Sequence, residues 1–351
     1  TKALSFLRQY EEQTILVVAN LSRYCQAVQI EVPGHVGCSV YDIFSENRFA
    51  DITDGPYGVT LAPHSFFWFV LRPPAVSTAP QPEQTPQVQC NVTWARMVGS
   101  SDEQRVLTVL SDYLKRARWF GGKGRSLRRL RIADSLTVPT PDHPVHVLLL
   151  EVTFNNAPRQ GYIVPIGFAS LDQQVKIMHE SPDSVIAQAQ MKDEHGIIYD
   201  AVAGEGFRNA LLEMIARRHN KKTGHGRLLA RRGSKFAQML ADKSLPLVSR
   251  ALTVEQSNSS VIYDNTFFLK LYRRAEEGTN PDVELSRHLT EHTGFTNLPA
   301  FAGAIEWRRS GAAPLTLAML LQLIPNETDG WSYTLDNVER SFSYAQTLKD
   351  K

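Results

Sequence analysis

The sequence predicts an α+β chain of several domains, opening with a small antiparallel β-sandwich and continuing into segments that mix helix and sheet. Three observations carry this reading. A Pro-rich stretch interrupts the chain at 73–91. Short β-type runs crowd the residues before it. After it, helical spacing alternates with strand-like runs.

The runs at 14–19, 27–32, 38–43, 59–61 and 65–71 are separated by turn residues. That density argues for a two-sheet sandwich over 1–72. Within 26–32, period-two alternation puts Val28, Ile30 and Val32 on one face and Ala27 and Gln29 on the other. Tyr57 and Trp68 are read as packing residues, with stacking on a surface sugar as the alternative. The stretch from Pro73 onward, with Pro74, Pro80, Pro82 and Pro86, has no apolar periodicity and reads as an extended linker.

Residues 92–246 form the next segment. Ser101-Asp102-Glu103-Gln104 can cap a helix running to about 116, with Val106, Leu107, Leu110 and Leu114 at helical spacing. A Gly121-Gly122-Lys123-Gly124 turn follows. It is not a Walker loop, because Lys123 is followed by Gly124, and the favoured reading is a structural turn with Trp119 and Phe120 packed inward. Strand-like stretches come at 130–138, 146–153 and 160–168. A helical stretch at 206–216 runs into a basic segment. His143 and His146 make a His-x-x-His in a Pro-flanked loop without the carboxylates of a zinc site, so no metal is expected.

The bulk numbers exclude some classes. The chain has 351 residues, 42% hydrophobic and 21% charged, the make-up of a globular protein. No apolar run reaches the length needed to cross a bilayer, so no membrane association is expected. The start Thr1-Lys2-Ala3-Leu4 has neither initiator Met nor secretory pattern, so the chain reads as an excised piece of a longer cytoplasmic protein. Cys25, Cys38 and Cys90 have no CxxC spacing and are expected as thiols. A net charge of +2 gives no global pull toward nucleic acid. Two basic segments, 115–131 and 217–235, keep a nucleic-acid-binding protein as a rival, with Trp119 and Phe120 available for stacking. Apolar residues interrupt both segments, which favours solvated faces.

Residues 247–335 form the next segment, in which 248–272 read as Val-rich strand, polar turn, short strand, Asp264-Asn265 turn, and the strand 266–272. Alternation puts Phe267, Leu269 and Leu271 on one face and Lys270 on the other, between Phe268 and Tyr272. An ammonium midway along an apolar strand calls for an anionic partner. Triphosphate oxygens would serve, as would Glu284 in a helix capped by Asn280 with Pro281 at its first position. A strand lysine met by a helix glutamate is the arrangement of a protein-kinase-like small lobe. Upstream, Glu255, Gln256, Ser257, Asn258, Ser259 and Ser260 stand where a phosphate-covering loop belongs, without glycine. The apolar strand 315–324, stopped by Pro325, would run into a hinge that meets adenine near Leu320, Leu321, Gln322 and Leu323. The bland alternative is a lysine snorkelling from an edge strand to whichever acid is near.

Four ordered runs resemble the maltokinase family: Gln256-Ser257-Asn258-Ser259-Ser260-Val261-Ile262-Tyr263, Leu269-Lys270-Leu271-Tyr272-Arg273-Arg274, Gly278-Thr279-Asn280-Pro281-Asp282-Val283-Glu284, and Pro325-Asn326-Glu327-Thr328-Asp329-Gly330-Trp331. Ala117-Arg118-Trp119-Phe120-Gly121-Gly122-Lys123-Gly124-Arg125 and Gly161-Tyr162-Ile163-Val164-Pro165-Ile166 are similar to that family's amino-terminal cap. The runs Phe6-Leu7-Arg8-Gln9-Tyr10, 15–22 and 63–69 resemble the carboxy-terminal β-domain of trehalose synthases of the α-amylase superfamily. The resemblance implies a fusion of the two: sandwich 1–72, linker 73–91, cap 92–246, small lobe 247–335, and the start of a large lobe at 336–351. It implies ATP and magnesium as cofactors of the parent protein and maltose as its substrate. Lys270 would contact ATP phosphates, with Glu284 orienting it. The partners implied are an upstream synthase barrel and a downstream kinase large lobe. Neither the His-x-Asp nor the Asp-Phe-Glu-like motif of that large lobe occurs before Lys351. This piece is therefore expected to carry an ATP-binding half-site, no catalytic residues and no magnesium ligands, and to make no maltose 1-phosphate alone. A non-catalytic carbohydrate-binding or domain-docking module is the alternative.

Overall fold

A computed structural model of the chain describes residues 2–10, 13–44, 47–73, 85–123, 125–155, 157–223, 226–252, 257–309, 311–326 and 330–349. Contacts divide it into two compact units, Thr1–Gln84 and Thr85–Lys351. Most of the linker expected at 73–91 lies outside the described residues, while 87–89 is a strand of the second unit.

The first unit contains β1 (Ala3–Tyr10), β2 (Gln13–Asn20), β3 (Gln26–Ile30), β4 (Ser39–Asp42), β5 (Tyr57–Leu61) and β6 (Phe66–Arg72). They form a four-stranded antiparallel sheet in the order β1-β2-β6-β4 and a β3-β5 pair. Leu16, Val18, Val40, Phe69 and Leu71 of the larger sheet share a core with Ile30, Tyr57, Val59 and Leu61 of the smaller. This is the sandwich the alternation predicts. Its other face is unusual. The cross-strand row Phe6, Val17, Trp68 leaves Phe6 and Trp68 well exposed, and Phe44 packs on Phe66 and Trp68 with ring centroids 6.1 and 6.0 Å apart.

The second unit continues with β7 (Gln87–Gln89), α1 (Glu103–Arg116), β8 (Leu127–Val138), β9 (Val145–Phe154), β10 (Gln160–Ser170), α2 (Leu171–Glu180), β11 (Val185–Gln190), β12 (His195–Asp200) and α3 (Glu205–Ala216). Its first sheet runs β7-β11-β12-β10-β9-β8. Val106, Leu107, Leu110 and Leu114 of α1 are buried, as their spacing predicts. The cap differs in detail: the Asp102 side chain bonds no backbone amide of its helix, and its carboxylate instead accepts from the Asn91 amide at 2.6 Å and pairs with Arg105 at 3.3 Å. Gly122 is required in the following turn, because a Cβ there would fall 2.6 Å from the Phe120 and Phe154 rings. Trp119 and Phe120 point inward.

β9 is buried along almost its whole length, and alternation explains why. Leu148, Leu150 and Val152 pack with α1, while Val145, Val147 and Leu149 join a second core on the opposite face. That second core belongs to the next sheet, made of β13 (Asn220–Thr223), β14 (Gly226–Arg232), β15 (Ser249–Leu252), β16 (Asn258–Tyr263), β17 (Phe267–Tyr272), β18 (Phe301–Arg309) and β19 (Leu315–Gln322). The strand order is β13-β14-β18-β19-β17-β16-β15. The basic segment at 217–235 thus supplies β13 and β14 of this sheet. The short helix α4 (Phe236–Leu240) follows them, and α5 (Pro281–His292) lies between β17 and β18. Phe207, Leu211, Leu212 and Ile215 of α3 pack on the sheet together with Leu269, Leu271, Trp307 and Leu320. Gly303 allows this approach, since a Cβ there would lie 2.4 Å from Ile215. Finally, α6 (Gly330–Lys349) begins six residues before the boundary expected at 336.

The other basic segment is divided among a helix end, a turn and a strand. Arg131 forks onto Glu151 with two contacts of 2.9 Å. Cys38 and Cys90 are buried thiols and Cys25 is exposed. Among the described residues no cluster of His, Cys, Asp and Glu is arranged to hold a metal, and no helix is long and apolar enough to cross a membrane.

His146 is buried in the cap, where Nε2 lies 3.0 Å from the Trp94 carbonyl and Nδ1 lies 3.4 Å from the Thr137 hydroxyl. Burial pushes its pKa below the ordinary 6.5, and the Trp94 bond opposes this only in part. Below about pH 6.5 the unfolded chain therefore binds a proton that native His146 does not, and stability is lost as the pH is lowered. Melting temperature should drop between about pH 7 and about pH 5.5, and His146→Gln, which keeps a donor for Trp94, should flatten that slope. Equal slopes in the two proteins would contradict this assignment.

Candidate functional site

Period-two alternation divides the candidate nucleotide residues between the faces of the second sheet. Phe267, Leu269 and Leu271 point into the core shared with the cap, and Lys270 points the other way, in line with Ser260 and Met319 across the strands. This outer face also holds Tyr272, Met319, Phe301 and Ala304 against Val283 of α5.

The Lys270 ammonium sits 2.7 Å from Asp282 Oδ2 and 5.2 Å from the Tyr272 ring centroid, and the Tyr272 hydroxyl is 3.3 Å from the same carboxylate oxygen. The Lys270 bond holds the Asp282 carboxyl below its usual pKa against the opposing effect of burial. Burial raises the Tyr272 phenol, which stays protonated as a donor. The acid that meets Lys270 is therefore Asp282 and not Glu284. Residues two apart on a helix face different ways, so α5 cannot present both carboxylates to one lysine. Val283 is buried and fixes the rotation, while Asn280 accepts from the amides of Asp282 and Val283 at 3.0 and 3.4 Å and fixes the start. Glu284 is exposed.

The expected phosphate-covering loop is shorter than the sequence suggests. Asn258, Ser259 and Ser260 belong to β16, Ser257 precedes it, and Glu255 and Gln256 lie outside the described residues. Asn258 and Ser260 share the face of Lys270, whereas Ser259 points toward the cap. The Ser260 hydroxyl is buried and unpartnered among the described residues. Near the end of β19, Leu320 faces the core and Leu321 the outer face. The Gln322 amide donates to the Ala300 carbonyl and that of Leu323 to the Thr266 carbonyl, each at 2.9 Å. A purine meeting this strand would find both amides already bonded.

A second constellation forms where cap and lobe meet, centred on Arg273. Its side chain is 2% exposed. Nη2 lies 2.7 Å from Asp200 Oδ2, Nε donates to the Ser259 hydroxyl at 2.8 Å, and the guanidinium carbon stacks 4.5 Å over the Trp119 ring. The Tyr113 hydroxyl donates to the same Asp200 oxygen at 3.0 Å, and burial holds its pKa well above the ordinary value. The backbones are also joined: Ile163 N–H donates to Arg273 O at 2.7 Å and Ala275 N–H to Gly161 O at 3.0 Å. Phe120 and Tyr162 pack with centroids 4.9 Å apart. Nearby, buried Arg208 of α3 bonds the hydroxyl and carbonyl of Ser249 in β15 at 2.9 and 3.1 Å.

Sequence reasoning missed Asp282, Arg273, Asp200 and Tyr113. The signal for Arg273 was present: an arginine directly after the apolar strand 266–272, at the parity of Leu269 and Leu271, faces inward. Asp200 likewise ends the apolar run Gly196-Ile197-Ile198-Tyr199-Asp200.

Two stretches of the chain match known families. Residues 1–68 match the family described as Maltogenic Amylase, C-terminal domain. Residues 113–203 match the Maltokinase N-terminal cap domain. Over 167 residues the chain is 29% identical to a trehalose synthase of Thermus thermophilus, covering 43% of this chain and 17% of that protein. Over 159 residues it is 23% identical to a glucosamine kinase of Mycolicibacterium smegmatis, covering 45% of this chain and 37% of that protein. A solved glucosamine kinase, crystal form B, superposes with a TM-score of 0.37 at 18% identity over 71% of this chain and 44% of that one. The chain thus spans less than two fifths of either curated relative. Together the matches support a trehalose synthase/maltokinase fusion.

Removing one member of a buried ion pair leaves the other charge uncompensated, at a cost of about 3–5 kcal/mol. Arg273→Met should lose about that much in urea denaturation of the second unit, and adding Asp200→Asn should restore part of it. A loss below about 1 kcal/mol for the single variant would show that the pair does not bear on stability.

Proposed function

We propose that the second unit carries the ATP-binding half of a maltose kinase, in a protein whose first unit is the C-terminal domain of a trehalose synthase. The parent would interconvert trehalose and maltose and phosphorylate maltose to maltose 1-phosphate in the cytoplasm. The observation that supports this best is the placement of Lys270. It stands midway along the outer face of a seven-stranded sheet, with its ammonium directed by Asp282 and Tyr272. An exposed lysine pair contributes at most about 1 kcal/mol to stability. The pair is better understood as orienting a cation that a triphosphate can approach.

Lys270 would meet phosphate oxygens, and Asn258 and the buried Ser260 hydroxyl lie on the same face to assist. MgATP would supply the transferable phosphoryl group. The purine edge would be met beyond Leu323, since the 322 and 323 amides are committed. Glu284, exposed on α5, would interact with the ligand or the large lobe rather than with Lys270.

A second reading concerns the first unit. Phe6, Phe66 and Trp68, 45%, 55% and 40% exposed, form an apolar sheet face that suits burial against the synthase barrel.

Calorimetric titration of the full chain with MgATP tests the main reading. Saturable binding is expected, weakened roughly tenfold or more by Lys270→Met and less by Asp282→Asn, which removes only the orienting partner. Unchanged affinity in Lys270→Met would remove the basis for the kinase assignment.

A further inference from the structure

The Arg273 constellation also borders a cavity of about 400 Å³ within the second unit. Arg116, Arg118, Ser259 and Arg273 line it, and Glu180 and Asp183 reach it from the segment between α2 and β11. Arg273 is the notable member. Of its guanidinium nitrogens, Nε and Nη2 are bonded to Ser259 and Asp200, but Nη1 is buried and has no partner among the described residues. A buried donor left unpaired is costly, and one of a charged group more so. The rest of the surroundings hold this one in place: the Trp119 ring beneath it, the Asp200 carboxylate, and the backbone bond from Ile163.

We propose that this cavity binds a phosphorylated polyol of hexose phosphate size. Guanidinium forks match phosphate oxygens in geometry as well as charge, and Arg273 is preorganised by stacking and by its two existing bonds. Arg116 enters from the end of α1, where it donates to the Val185 carbonyl and lies 5.3 Å from the Tyr113 ring centroid. The carboxylates of Glu180 and Asp183 would repel a bare anion but accept bonds from hydroxyls, so the lining suits a ligand with a phosphate at one end and a polyol at the other. The volume lies at the lower end of ordinary small-molecule sites. Ser259 lines the cavity and lies on β16, one residue from Ser260 on the Lys270 face. Occupancy would therefore stiffen the strand on which the proposed nucleotide contacts depend. The cavity does not use Lys270, so the two readings stand or fall separately.

Calorimetric titration of the full chain with glucose 6-phosphate tests this, with inorganic phosphate and glucose as controls. Saturable binding of glucose 6-phosphate is expected, weaker binding of phosphate, and none of glucose. Arg116 and Arg118 are exposed, so the Arg116→Ala/Arg118→Ala variant should fold. It should lose roughly tenfold in affinity or more, and Asp183→Asn should weaken glucose 6-phosphate but not phosphate. Lys270→Met should bind glucose 6-phosphate as the parent chain does. No saturable heat up to about 10 mM, unchanged affinity in the double arginine variant, or loss in Lys270→Met would each overturn the proposal.

Discussion

The second unit depends on one buried ion pair, between Arg273 and Asp200. Arg273 leaves the end of a lobe strand and enters a site built almost wholly by the cap: the Asp200 carboxylate, the Tyr113 hydroxyl behind it and the Trp119 ring. A guanidinium so fully removed from water is tolerable only with its partners in place. The lobe therefore cannot separate from the cap without exposing both an unpaired arginine and an unpaired aspartate. The continuous core from Val147 and Ile163 through Phe207 to Leu269 and Trp307 reinforces this. The two sheets share one core within a single unit, although they read as successive domains in the sequence.

This arrangement fixes which face of the lobe is available. The cap covers the side carrying Leu269, Leu271 and Leu320. Lys270, Tyr272 and Ser260 remain on the other, with α5 alongside. A one-residue change in register would exchange the two sets, so the apolar demand of the shared core is what places the lysine outward. The charged groups on the two sides differ in exposure. Arg273 and Asp200 are buried between the two sheets, whereas Lys270 and Asp282 are partly exposed on the opposite face.

Much of this was readable in advance. The sandwich, α1, β8 to β10 and β17 follow from periodicity, because each buries one face or both against a core and apolar spacing records that demand. The inward Trp119 and Phe120 follow from the glycine turn. Long-range pairing was not readable. The basic run at 217–235 contains the edge strand β13 and its neighbour β14, which only the position of β18 determines. The partner of Lys270 depends on the rotation of α5, set by Val283, and not on the spacing between a lysine and a glutamate. The runs around Trp119, Tyr162, Ser259 and Arg273 stood out one at a time along the sequence. In the structure they are a single cluster, brought together by contacts that span more than a hundred residues.

Native-state hydrogen exchange on the full chain tests the central claim, that cap and lobe open only together. Amides of β10 in the cap and β17 in the lobe should exchange with opening free energies within about 1 kcal/mol of each other and should shift together under mild denaturant. Loss of protection in β17 while β10 stays protected would show two independent bodies and contradict the account.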